Sequence, residues 1–139
     1  MTEREGHDDV VRLFEAIRAG AYEGYASTLV TDELKRAPEP KRGDMLALTD
    51  RYGIVILDPV PEVVRLARLY IANAVIPASH LMDSSHVAMA AVGGLDCVVS
   101  YNFHHINRKK TRNLTAVINQ DNGYNAVIIC TAGEVLDNE

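Results

Sequence analysis

Short apolar segments alternate with longer segments whose apolar residues recur at helical spacing. Four of the short segments, bounded by turn residues, lie at residues 22–28, 54–57, 97–100 and 126–130. Apolar runs of this length predict strands, and a wholly apolar run such as Ile54 to Leu57 is typical of a parallel sheet covered on both faces. The pattern therefore predicts an α/β fold, with four strands in a small, mostly parallel sheet flanked by helices.

Helical spacing is clearest between the second and third predicted strands. Glu62 to Val75 should form an amphipathic helix whose apolar face carries Val63, Leu66, Ala67, Tyr70 and Ala74. Further helices are predicted at residues 8–18, 29–36, 43–51, 83–92, 111–119 and 132–136. We expect Thr28 to cap the helix over 29–36. We expect the helix from Asp83 to Val92 to be buried, because its small residues allow close packing.

Length and composition predict one globular domain over residues 1–139. The net charge of −5 argues against a wholly basic nucleic-acid module but leaves room for a local basic patch. Cys97 and Cys130 lie in predicted strands, so buried thiols are favoured over a disulfide or a metal pair. The polar, acidic start has no signal-peptide pattern, and no apolar run reaches the ~20 residues of a membrane span. We expect a soluble, cytoplasmic protein.

Polar side chains capable of binding a cation occur where helices begin and where strands end. Glu33 falls in the second turn of a predicted helix that directly follows a strand, and Asp83 falls in the first turn of another helix. Ser100 and Asn102 follow the third predicted strand. These positions can meet at the carboxyl edge of a parallel sheet, where such oxygen donors suit Mg²⁺ or Mn²⁺. Alternatively, Asp83 is a helix cap and Glu33 is a solvated helical residue.

A basic segment follows the same strand end. Its cations, which could hold phosphates, are Arg108, Lys109, Lys110 and Arg112. The alternative is a solvated helix start, although cations at a helix N-terminus oppose the helix dipole. The histidines nearby do not have the spacing of a zinc site: they are His80, His86, His104 and His105. The sequence contains no glycine-rich phosphate loop.

Four segments together make a more specific pattern than any one of them alone. They are Ser27 to Leu34, Asp83 to Ala88, Leu95 to Ile106 and Asn122 to Thr131. From about residue 8 onward, this pattern resembles PIN-domain proteins, and in particular the VapC-like ribonucleases.

The resemblance implies a three-layer PIN-like fold and a Mg²⁺- or Mn²⁺-dependent endoribonuclease that cuts single-stranded RNA. Many such proteins are toxins of toxin–antitoxin pairs and form homodimers. The resemblance makes Glu33 and Asp83 metal-binding acids. It places Asn102 at a position that is Asp in many members and Asn in others, and Ser100 at the frequent Ser/Thr position two residues earlier.

The sequence departs from the family pattern at its start. The family's first strand, with its leading Asp, precedes the first helix, whereas this sequence starts at that helix. Asp8 and Asp9 fall inside the helix pattern and do not replace the missing acid. Either the sequence is truncated or the protein is a degenerate member. Three functions stay open: a nuclease, a non-cleaving module that binds RNA or a protein partner, and an α/β scaffold without a nucleic-acid role.

The missing central strand would leave two strand edges unpaired, which is costly for buried backbone groups. We therefore hypothesise that the flanking strands close up or that a neighbouring chain fills the gap. An ordinary five-stranded sheet formed by this chain alone would contradict both versions.

Overall fold

The computed structural model describes residues 3–29, 39, 47 and 49–137, and the chain divides into two compact units. The first unit comprises residues 1–58 and 132–139, and the second comprises residues 59–131. Described elements are numbered here in chain order. The first unit contains α1 (Glu3–Arg18), β1 (Tyr25–Ser27), β2 (Val55–Leu57) and α5 (Ala132–Asp137). The second contains α2 (Pro61–Ala72), a 3₁₀ turn (Ala78–His80), α3 (Leu81–Gly93), β3 (Cys97–Val99), α4 (Lys109–Asp121) and β4 (Ile128–Cys130).

In the first unit, α1 packs against α5. α1 begins at Glu3 rather than at residue 8, and it ends at Arg18 as predicted, with Gly20 beyond its end at a φ of +87°. Asp9 lies on α1 close to Gly133: a Cβ on that glycine would be 2.6 Å from Asp9 Oδ2. Asp9 is therefore part of a helix contact, consistent with its predicted place inside the first helix.

A hydrogen bond to the Ser27 side chain marks the transition from β1 to the next helical residues. The Ser27 hydroxyl accepts the backbone N–H of Leu29 at 3.0 Å, and the chain is already helical at Thr28. Ser27 therefore caps this helix, and the prediction that Thr28 does so is wrong, because a cap residue must precede the first helical residue. Most of the predicted helices over 29–36 and 43–51, including Glu33, lies outside the described residues, although residues 49–51 are helical.

The core of the second unit forms where α2 packs against α3. The predicted apolar face of α2 is buried at Val63, Leu66, Ala67 and Tyr70. Ala74 was assigned to that face wrongly: α2 ends at Ala72, and Ala74 lies beyond the cap with a φ of +56°. A regular helical face cannot continue through that backbone conformation.

The small residues of α3 are buried, as predicted. The buried set is Ser84, Ser85, Val87, Ala88, Met89, Ala90 and Ala91. The Ser84 hydroxyl donates to the Ala67 carbonyl at 2.8 Å, which joins α3 to the backbone of α2. Close approach and a satisfied hydroxyl together set the position of α3, and hence of Asp83 in its first turn.

The strands pair in parallel, so the α/β class and the parallel pairing are confirmed. Among the described residues, however, β1 pairs with β2 and β3 pairs with β4 in two separate sheets, rather than in the one sheet predicted. Each strand has only three residues, so each pair offers few hydrogen bonds. Closure of the gap by pairing of the flanking strands is not observed among the described residues, and filling by a neighbouring chain stays a hypothesis.

No helix among the described residues has both the length and the apolarity needed to cross a lipid bilayer.

A buried polar pair generates a stability prediction. The Tyr70 hydroxyl donates to Asn119 Oδ1, and both residues are fully buried. Asn119 Nδ2 has no partner among the described residues, so Tyr70→Phe would leave the whole buried amide unpaired. We expect this substitution to lower the free energy of unfolding by about 1–3 kcal/mol, measured by urea denaturation.

Tyr124→Phe is the matched control, because the Tyr124 hydroxyl donates to Glu62 at 2.6 Å on the exposed surface. This variant should unfold at nearly the same urea concentration as the unmodified protein. Equal effects of the two substitutions would contradict the importance of burial at Tyr70.

Candidate functional site

Polar residues follow β3 directly, and the first of them is hydrogen-bonded to β4. The Ser100 N–H donates to the Cys130 carbonyl at 2.9 Å, which extends the pairing of the two strands. The Ser100 hydroxyl accepts the N–H of Asn102 at 3.2 Å. Ser100 is thus held at the carboxyl end of β3, where the sequence predicted it.

Asn102 organises the loop between β3 and α4. Its side-chain Oδ1 accepts the N–H of His105 at 3.1 Å. Its backbone carbonyl accepts the N–H groups of Ile106 at 3.0 Å and Asn107 at 2.7 Å. Ile106 is buried and anchors the loop in the core. One residue therefore satisfies three backbone donors and determines the path of the loop.

His80 lies between Asp83 and Asn102. Its Nδ1 is 3.2 Å from Asp83 Oδ2 and 3.4 Å from Asn102 Nδ2. One ring nitrogen either donates to the carboxylate or accepts from the amide, so the protonation of Nδ1 selects its partner. The His105 ring lies against the His80 ring, with centroids 4.6 Å apart. The fold thus brings Asp83 and Asn102 together through a histidine.

The Asp83 carboxylate is accessible as well as paired. Its side chain is 39% exposed, and that of His80 is 31% exposed. Asp83 lies in the first turn of α3, where the helix dipole favours its charge, but the N-cap residue is His80. The alternative prediction that Asp83 caps the helix is therefore wrong, but the helix dipole still stabilises its negative charge.

His86 lies one turn beyond Asp83 on α3. Its Nε2 is buried and has no hydrogen-bond partner among the described residues. Burial lowers the pKa of the His86 imidazole below its ordinary value, and the Asp83 carboxylate opposes this only in part. The lowered pKa favours the neutral ring, so His86 adds little positive charge beside Asp83 at neutral pH.

The basic segment forms the start of α4. α4 begins at Lys109 rather than at residue 111, and Lys109 and Lys110 are exposed. Arg112 donates to Asn107 Oδ1 at 2.8 Å, and Arg108 Nε donates to Thr111 Oγ1 at 2.9 Å. The acceptors in both bonds are neutral, so these arginines are positioned without loss of their charge.

Two aromatic side chains lie between the strand end and these cations. The Tyr101 and Phe103 rings meet edge to face, with centroids 6.2 Å apart, and Phe103 is 49% exposed. Sequence reasoning did not assign them a role. An exposed aromatic beside a run of cations is a signal for nucleic-acid stacking that could have identified them.

The histidine contact was also missed. The spacing of three residues between His80 and Asp83 is that of neighbours on a helical turn, which could have indicated the contact. Within the described part of the chain, no three His, Cys, Asp or Glu side chains are arranged to hold a metal ion. Glu33, the second predicted acid, lies outside the described residues.

No protein-family model, no curated protein and no solved structure matches this chain.

The role of Asn102 generates a prediction about backbone dynamics. Asn102→Ala removes the acceptor of the His105 N–H, so that amide should exchange with solvent on the order of tenfold faster. Asn102→Asp retains an acceptor oxygen and should preserve the protection. Amide hydrogen exchange followed by NMR measures both variants. An unchanged His105 exchange rate in Asn102→Ala would mean that the loop is held by other contacts.

Proposed function

We propose that this chain is a PIN-like, Mg²⁺- or Mn²⁺-dependent endoribonuclease that acts on single-stranded RNA. The observation that carries the proposal is that His80 contacts both Asp83 and Asn102, that Asn102 donates to Ser100 at the carboxyl end of β3, and that the cationic start of α4 follows. Ligands of open α/β sheets bind at such strand ends. The resemblance to VapC-like proteins extends the proposal to a homodimer and an antitoxin partner.

The donors at this strand end suit a hydrated, hard cation. Asp83 supplies an accessible carboxylate, whereas Asn102 Oδ1 and Ser100 Oγ already accept backbone N–H groups. Proteins commonly hold Mg²⁺ through one or two carboxylates, with water and substrate phosphates completing the shell. Asp83 and Asn102 would hold the ion. The bound ion would neutralise phosphate charge and activate water.

His80 regulates the availability of Asp83 in this proposal. When Nδ1 carries a proton, it donates to Asp83 Oδ2 and competes with a cation for that carboxylate. When Nδ1 is unprotonated, it accepts from Asn102 Nδ2 and leaves Asp83 available.

The segment after the strand would bind the RNA chain. Arg108 and Arg112 are positioned by neutral acceptors, so their charges can act on phosphates. A phosphate near the start of α4 would also offset the unfavourable position of cations at a helix N-terminus. Phe103 offers an exposed ring on which a base can stack.

A second candidate is an RNA-binding module of the same fold that does not cleave. The pairing of Asp83 with His80 favours it, because the only carboxylate in the described part of this site is already engaged. The two candidates share the RNA surface and differ in chemistry.

The test measures binding and cleavage of a labelled single-stranded RNA by the same protein. Asp83→Asn should abolish Mg²⁺-dependent cleavage while binding in EDTA persists. Replacing both Lys109 and Lys110 by Ala should weaken binding and reduce the slope of log K against log salt by about 1.4, since each single-strand phosphate contact contributes about 0.7. Arg68→Ala is the control, because Arg68 is an exposed cation on α2.

The outcomes separate the candidates. Cleavage that survives Asp83→Asn would contradict the site assignment. Salt-dependent binding by an unmodified protein that does not cleave would identify the second candidate. An unmodified protein that neither binds nor cleaves RNA would contradict both.

A further inference from the structure

The two cysteines meet on one face of the β3–β4 sheet. Cys97 lies opposite Ile128, and Cys130 lies opposite Val99. Opposed residues, and residues two apart on a strand, point to the same face, so both thiols project to that face. No disulfide joins the two cysteines, whose side chains interact on this face.

Solvent access differs between the two thiols. Cys97 is partly exposed, and its neighbours on this face are also open, with Ile128 61% and Val99 40% exposed. Cys130 is buried, with 4% exposure. A small solute can therefore reach Cys97, whereas Cys130 is reached through Cys97.

The contact also changes the acidity of Cys97. The hydrogen bond from Cys130 keeps the pKa of the Cys97 thiol below its ordinary value, although burial and the Asp96 carboxylate act in the opposite direction. A lower pKa increases the fraction of thiolate, which is the reactive form of cysteine.

We propose that Cys97 and Cys130 form a peroxide-reactive dithiol, in which Cys97 attacks the oxidant and Cys130 closes a disulfide. The Cys97 thiolate attacks one peroxide oxygen: an S–O bond forms, the O–O bond breaks, and hydroxide leaves and is protonated to water. The Cys130 sulfur then attacks the sulfenic sulfur of Cys97: the S–S bond forms, the S–O bond breaks, and hydroxide leaves and takes up the Cys130 thiol proton as a second water. Two thiols lose two electrons, and one hydrogen peroxide gains them.

The strand register predicts that this disulfide is readily reduced. Cys97 and Cys130 are diagonal rather than opposed in the sheet. Paired strands lie about 4.8 Å apart and two residues of a parallel strand span about 6.6 Å, so diagonal Cα atoms lie about 8 Å apart, beyond the ~7 Å limit for an unstrained disulfide. Closure must therefore shift the short strands, and strained disulfides are the labile ones.

The test treats the full chain with hydrogen peroxide near stoichiometry, blocks remaining thiols with N-ethylmaleimide in denaturant, and maps the peptides by mass spectrometry. The expected product is a Cys97–Cys130 linked peptide, lighter by two hydrogen atoms, that disappears after mild treatment with a monothiol. Full alkylation of both cysteines at a peroxide dose that oxidises glutathione would overturn the proposal. So would disulfides formed only between chains.

Cys130→Ala separates the two roles. Without Cys130, peroxide should leave a sulfenic acid on Cys97, detected by a dimedone adduct. Alkylation of Cys97 at pH 7 should also become roughly threefold slower, since the loss of thiolate outweighs the gain in intrinsic nucleophilicity. An unchanged alkylation rate would show that Cys130 does not activate Cys97. The unmodified protein is informative on its own if this variant folds poorly.

Discussion

The backbone N–H groups of the loop after β3 need hydrogen-bond acceptors, and Asn102 supplies them. Three N–H groups of the loop donate to its side chain and carbonyl, which draws Ile106 into the core. Asn107 continues the same network by donating to the Ser100 carbonyl at 2.9 Å and accepting from Arg112. The loop then enters α4 with its cations close in sequence to the strand end. The candidate site is thus a consequence of ordinary hydrogen-bond satisfaction, and its chemistry depends on the loop's conformation.

Sequence patterns predicted the helices whose structure depends on residues that are close together in the sequence. The apolar period of α2 identified Val63, Leu66 and Tyr70 as core residues, and the small residues of α3 identified a buried helix. The patterns were inaccurate where helices begin or end: Ser27 rather than Thr28 caps a helix, and Ala74 lies past one. The division of the strands into two pairs was not predictable either. Pairing joins residues distant in sequence, and strands of three residues carry little information about their partners.

The oxygen donors of the candidate site were identified from the sequence, whereas its histidine contact was missed. Strand ends and helix starts predicted that Asp83 and Asn102 would lie near each other, and His80 contacts both of them. Glu33, which was predicted to join them, lies outside the described residues. His80 precedes α3 in a separate 3₁₀ turn, so no single periodic pattern includes both His80 and Asp83. The His80 Nδ1 atom lies within hydrogen-bonding distance of both the Asp83 carboxylate and the Asn102 amide. A cation bound by Asp83 would therefore compete with His80 for the carboxylate. The proposed nuclease activity therefore requires a divalent cation to displace His80 from that carboxylate.

The most direct test is a Mn²⁺ titration of the isotopically labelled protein, followed by paramagnetic broadening of its backbone NMR signals. The account predicts that substoichiometric Mn²⁺ first broadens the signals of His80, Asp83 and residues 100–105, and that Asp83→Asn removes this selectivity. Broadening that begins at other carboxylates, such as the exposed Asp121 or Glu134, or that is unaffected by Asp83→Asn, would contradict it.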